Sequence, residues 1–201
     1  MGIFQNYSKP QGFFGGLVLS GMNRRHGPSA KWGLSHIQPP EGANVLDIGC
    51  GGGANMARLM ELCPKGFVTG MDYSPLSVDA SKDYNRKALA AGRGMVLRGD
   101  VSHLAFPRGI FDLVTAFETV YYWPQPDHCF HNIWKTLKDG GQFLICNTSA
   151  GEDEAVYRQA EKIKGMVVYK APVLEQMLKK AGFSKIETDI QGTWLTIVAT
   201  K

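Results

Sequence analysis

The hydrophobic positions between Asn44 and Lys201 switch repeatedly between two periods. Short apolar runs, "NVLDI", "GFVTGMD", "GMVLRGD", "FDLVTAFE" and "QFLICNT", read as strands. Helical spacing fills the gaps. "GANMARLMELC" predicts a helix stopped by Pro64, and Ser74-Pro75 gives a cap and first-turn proline to another that runs to about Ala91. Phe130, Ile133, Trp134 and Leu137 share one helix face, with Gly140-Gly141 as the stop. Pro172 to Ala181 predicts a further helix, closed by Gly182. Two last strands, about 183–190 and 194–200, are joined by Gln191-Gly192-Thr193, a link so short that it implies an antiparallel hairpin. Residues 148–171 predict a polar helix followed by a short extended piece at Met166-Val167-Val168-Tyr169.

Strand and helix in alternation, with apolar strands, imply an α/β fold: a mostly parallel sheet covered by helices on both faces. Ligands in such sheets bind beyond the carboxyl ends of the strands. The 201 residues suffice for one domain, with 1–40 as a segment ahead of a core at 41–201. A net charge of +4, with no basic run longer than two residues, favours neither nucleic acid nor an anionic membrane. The apolar run from Phe13 to Met22 is too short to span a bilayer. Four cysteines without a CxxC suggest reduced thiols and a cytoplasmic setting. Oligomeric state, monomer or homodimer, stays open.

The chemistry collects at the strand ends. Asp47 ends the first strand, before the glycines of "GCGGG"; Asp72, Asp100 and Glu118 follow the second, third and fourth. A dinucleotide would suit the glycine loop and Asp72, because an acid about 20 residues on can bind ribose hydroxyls. Asp47 argues against it, since a close carboxylate repels pyrophosphate. S-adenosylmethionine reverses the sign, with a sulfonium, an ammonium group and no phosphate. Asp47 is then placed to help hold the ammonium, while Gly49 and Gly51 let the backbone approach the methionyl part. Asp72 can accept from the ribose hydroxyls. Asp100 can accept from the adenine amino group, with the Val101 N–H reading the ring.

"VLDIGCGGG", "GMDYS", "RGDVSHLAF", "FDLVTAFETVYYW", "LKDGGQFLI" and "LKKAGF" resemble, in that order, the motifs of class I S-adenosylmethionine-dependent methyltransferases. More narrowly they are similar to the small-molecule subgroup of the ubiquinone/menaquinone-biosynthesis type. The resemblance implies a Rossmann-like, seven-stranded sheet with the last strand antiparallel, an N-terminal helical lid, and S-adenosylhomocysteine as product. It adds Tyr73 to the cofactor side and sets Phe117 and Glu118 beside the methionyl moiety. "FETV" stands after the fourth strand, where amino-methylating nucleic-acid enzymes carry an Asp/Asn-Pro-Pro-aromatic tetrapeptide, and no Pro-Cys pair offers a cytosine-C5 nucleophile. A small-molecule acceptor is therefore the leading expectation. An RNA or protein methyltransferase, and a non-catalytic cofactor-binding module, are the alternatives.

In-line methyl transfer gains most from alignment, and a base helps only some acceptors. His26, Tyr121 and Tyr122 are the catalytic candidates, His26 because an imidazole titrates near neutrality. Tyr7, Met22, Trp32 and Trp123 are the candidates for lid and substrate contact. "DHCFH" at 127–131 holds metal-ligand types but no second cluster accompanies it, so no metal is expected.

Overall fold

The computed structural model of the protein describes residue 21 and residues 24–201. Its elements run α1 (Gly27–Leu34), β1 (Asn44–Ile48), α2 (Ala54–Leu62), β2 (Phe67–Asp72), α3 (Pro75–Ala90), β3 (Gly94–Arg98), β4 (Phe111–Phe117), α4 (Pro126–Thr136), β5 (Leu137–Asn147), α5 (Glu154–Ala160), α6 (Ala171–Ala181), β6 (Lys185–Gln191) and β7 (Trp194–Thr200). Single 3-10 turns, Val101–His103 and Val120–Tyr122, follow β3 and β4. The seven strands form one sheet in the order β3-β2-β1-β4-β5-β7-β6. All neighbours pair parallel except β7, which runs antiparallel to both β5 and β6.

Alternation along the strands sends side chains to two cores. In β5, Phe143 and Ile145 join Phe130 and Ile133 of α4 and Leu174 and Leu178 of α6. Leu144 and Cys146 face the other way, with Ala30 of α1 and Met56 and Leu59 of α2. The order reverses between β1, which continues to β2 on one side, and β4 on its other side. That crevice, at the carboxyl ends of β1 and β4, is where such a sheet receives a ligand.

Two boundaries differ from expectation. The helix before β5 stops at Thr136, not at Gly140, and β5 begins at Leu137. Leu137 pairs with Phe111, and regular register resumes only at Leu113 with Gln142. Gly140, at φ +76°, takes up the irregularity, and Lys138 is held at the same corner by Asp112, 2.8 Å away. Met166–Tyr169, expected as a short extended piece, is neither helix nor strand, and Val167 N–H donates to the Tyr121 carbonyl at 2.8 Å.

Of the N-terminal segment, α1 docks on the sheet at close range. A Cβ on Gly33 would lie 2.7 Å from the Cys146 sulfur, so glycine sets the distance between helix and β5. Tyr7 and Met22 lie outside the described residues.

Candidate active site

The loop after β1 is fastened to the end of β2. Gly49 and Cys50 N–H both donate to the Met71 carbonyl, at 2.7 and 3.1 Å. Gly51 N–H donates to Asp72 Oδ2 at 3.0 Å, and Gly53 N–H to the Cys50 carbonyl at 2.9 Å. Four amides that would face a pyrophosphate in a phosphate-binding loop are thus already engaged. Gly49, at φ +73°, also abuts the loop after β4: a Cβ there would lie 2.5 Å from Thr119 Oγ1.

Asp47 is only 1% exposed and does not line the cavity. Its residue pairs laterally with Thr115 across β1 and β4, so Thr115 Oγ1 donates to Oδ1 at 2.8 Å. Asp47 Oδ2 is buried without a hydrogen-bond partner. Burial pushes its carboxyl up to about 7; the Thr115 bond opposes this and the Asp72 charge adds to it. Cys50, beside it in the loop, is no activated thiol: burial first, then Asp47 and Asp72, push it well above its ordinary value.

Asp72 lines the cavity with Oδ1 accepting from Ser74 N–H at 2.9 Å and Oδ2 from Gly51. Burial raises its carboxyl and the backbone N–H bonds of Ser74, Gly51 and Tyr73 oppose the shift. Asp100 is exposed and lines the same cavity; its Oδ1 accepts from Ser102 N–H at 2.9 Å and Ser102 Oγ at 2.7 Å, which fixes its orientation. Tyr73, Val101, Gly49, Gly51 and Phe117 line it too.

Glu118 sits at φ +57°, a left-handed conformation unusual for a residue with a side chain. Three donors hold its carboxylate: Thr148 N–H, Tyr121 OH and Thr148 Oγ1, the last at 3.0 Å. His26 Nδ1 stands 3.7 Å from Glu118 Oε1. Glu118 therefore joins the chain before α1, the turn after β4 and the end of β5, while also lining the cavity.

The cavity encloses about 260 Å³ at the carboxyl ends of β1 to β4. Its acids are Asp72, Asp100 and Glu118; of the described residues lining it, Lys164 alone is a lysine or arginine. Tyr122 and Trp123 form an aromatic wall. Trp123 is also core: it is 7% exposed, lies nearly parallel to Phe143 at 6.2 Å, and donates from Nε1 to Thr119 Oγ1 at 3.2 Å. Tyr121 and Trp32 are not among the lining residues. Tyr121 donates to Glu118, and burial followed by the Glu118 charge holds its phenol well above the usual range. Trp32 lies against Trp194 and His36. Sequence reasoning missed Thr115, Thr148 and Lys164. For Thr148 a signal existed, since it is the polar residue that follows β5 as the acids follow the earlier strands.

Among the described residues, no cluster of three or more His, Cys, Asp or Glu side chains could hold a metal ion, and no helix is long and apolar enough to cross a membrane. Residues 46–145 match the family described as methyltransferase domain. The chain belongs to the class I S-adenosylmethionine-dependent methyltransferases. S-adenosylmethionine is the cofactor this membership implies. Similar proteins include a cycloartenol-C-24-methyltransferase of Arabidopsis thaliana, 29% identical over 75% of this chain and 46% of that one. A 27-O-demethylrifamycin SV methyltransferase of Amycolatopsis mediterranei is 31% identical over 70% of this chain and 54% of its own. A tRNA U34 carboxymethyltransferase of Aliarcobacter butzleri is 30% identical over 71% and 48%. This chain thus spans about half the length of these relatives. In fold it is similar to a chain of the solved complex between the Haloferax volcanii Trm112 methyltransferase activator and a proposed methyltransferase (TM-score 0.79, 24% identity, 91% of this chain and 93% of that one).

Proposed function

We propose that this methyltransferase binds S-adenosylmethionine in the strand-end cavity and transfers its methyl group to a small-molecule acceptor. One observation carries the reading: the cavity combines three lining carboxylates with a glycine loop whose Gly49, Cys50, Gly51 and Gly53 amides are already engaged. That arrangement suits a ligand with cationic groups and hydroxyls and repels a diphosphate.

The residues divide the ligand between them. Asp72, with Tyr73 beside it, accepts from the ribose hydroxyls. Asp100 and the Val101 N–H take the adenine edge. Gly49, Gly51, Phe117 and Glu118 surround the methionyl part. Asp47 acts from beneath the loop as a buried negative charge with one oxygen unsatisfied. When bound, the cofactor supplies an electrophilic methyl on a sulfonium. The protein then aligns the acceptor with it, against Tyr122 and Trp123, and excludes water. His26 is not among the lining residues and stands 3.7 Å from Glu118, so its place is to help position that carboxylate.

Calorimetry with S-adenosylmethionine, S-adenosylhomocysteine and NADH tests the binding. Acceptor classes, a tRNA transcript among them, are then screened by formation of S-adenosylhomocysteine. Micromolar NADH affinity without S-adenosylmethionine binding sinks the reading. Turnover on tRNA alone overturns the small-molecule assignment. Cofactor binding without turnover on any class leaves a binding module, not an enzyme.

A further inference from the structure

The cation on the cavity wall is presented by a built turn. Ile163, only 1% exposed, anchors the chain immediately before Lys164. Met166 N–H donates back to the Ile163 carbonyl at 3.1 Å, and Gly165 stands at φ +83°. A tight turn with a positive φ at its third residue needs glycine there, and its second residue projects from the corner. That second residue is Lys164. On the far side of the turn, Val167 N–H is clipped to the Tyr121 carbonyl at 2.8 Å. The lysine is therefore fixed at both flanks although its own side chain is exposed.

Its setting is electrostatically divided. Asp72, Asp100 and Glu118 each stand at or just after a strand end, whereas Lys164 belongs to the turn that Val167 ties to Tyr121, next in sequence to Tyr122 and Trp123; the three acids, Lys164, Tyr122 and Trp123 line one cavity. Among the described residues no acidic side chain pairs with it. We infer that Lys164 binds the carboxylate of an acidic acceptor whose apolar body lies on Tyr122 and Trp123. This rests on reading the strand-end half as the S-adenosylmethionine site. An ammonium held at the rim of a cavity favours an anion there, and the aromatic residues that line the same cavity supply the apolar contact.

The experiment uses matched probes: 4-hydroxybenzoate, indole-3-acetate and octanoate, each against its own primary amide. Binding is measured in the presence of S-adenosylhomocysteine, and turnover by its formation from S-adenosylmethionine. At least one acid is expected to bind more tightly than its amide. Lys164→Met should cut that preference about tenfold, the scale of one charge-assisted hydrogen bond, and Lys164→Glu should reverse it. Both variants keep Ile163, Gly165 and the Val167 clip, and thermal unfolding at the wild-type temperature verifies that they fold. Equal binding of every acid and amide, or no binding of any acid, overturns the proposal. A second arm compares S-adenosylmethionine with its decarboxylated form. If Lys164→Met weakens only the former, the lysine serves the cofactor's carboxylate and the acceptor assignment falls. Loss of S-adenosylmethionine binding in the wild type would instead defeat the underlying site reading.

Discussion

Thr115 Oγ1 donates to Asp47 Oδ1 at 2.8 Å in the interior of the sheet, and the other Asp47 oxygen has no hydrogen-bond partner. Thr115→Val should therefore destabilise the protein by about 1–3 kcal/mol at pH 8, where the carboxylate is charged. The loss should shrink at pH 5. Urea unfolding at the two pH values measures both; equal losses would mean that Thr115 acts through packing alone.

Asp47 also gives the protein a pH dependence with a definite sign. Its carboxyl belongs near 3.8 in an unfolded chain and near 7 in the fold, chiefly because of burial. Between those values the folded state holds more protons, so stability should fall as pH rises from about 4 to about 7 and then level off. A cationic ligand favours the ionised form, so S-adenosylmethionine binding should release protons near pH 7. Calorimetry in buffers of differing ionisation enthalpy detects this. Asp47→Asn should flatten the stability profile, raise apo stability at pH 8 and weaken cofactor binding.

Asp72 has two duties, since it receives Gly51 and Ser74 N–H as well as lining the cavity. Asp72→Ala should lower S-adenosylmethionine affinity by about 1–3 kcal/mol and also loosen the glycine loop. Hydrogen exchange at Gly51 separates the two effects. Unchanged affinity in a folded variant removes Asp72 from the ribose role.

For Tyr121, a donor to Glu118, Tyr121→Phe should cost about 1 kcal/mol of stability. The rise of the rate with increasing pH should not move. Loss of that rise would restore Tyr121 as a base.

The sheet was legible because its signals are local. β1 to β4 are apolar runs, Ser74-Pro75 is a cap, and Gln191-Gly192-Thr193 permits only a hairpin. The positions of Asp47, Asp72, Asp100 and Glu118 followed from the rule that strand ends face the ligand. Their surroundings did not. Asp47 read as a ligand contact, yet it turns inward to Thr115, a partner set by register between strands 68 residues apart in sequence. Trp123 read as a substrate wall, and nothing in "YYW" says that its ring also stacks on Phe143. Gly140 read as a helix stop, whereas it absorbs an irregular step in β5. Each of these surroundings depends on a distant neighbour that short-range patterning does not carry.

The clip between Val167 and Tyr121 has an evolutionary corollary. The strand-end half of the cavity belongs to the sheet and cannot change without disturbing the core. The opposite half joins the exposed turn at Lys164-Gly165 to the segment after β4 through a backbone hydrogen bond, while Val120 and Trp123 of that segment belong to the core. Under the proposed function, the exposed turn can diverge in sequence while keeping its attachment, so acceptor preference would be free to drift while the cofactor half stays constant. Transplanting 161–168 between paralogues is the natural way to reprogramme this catalyst.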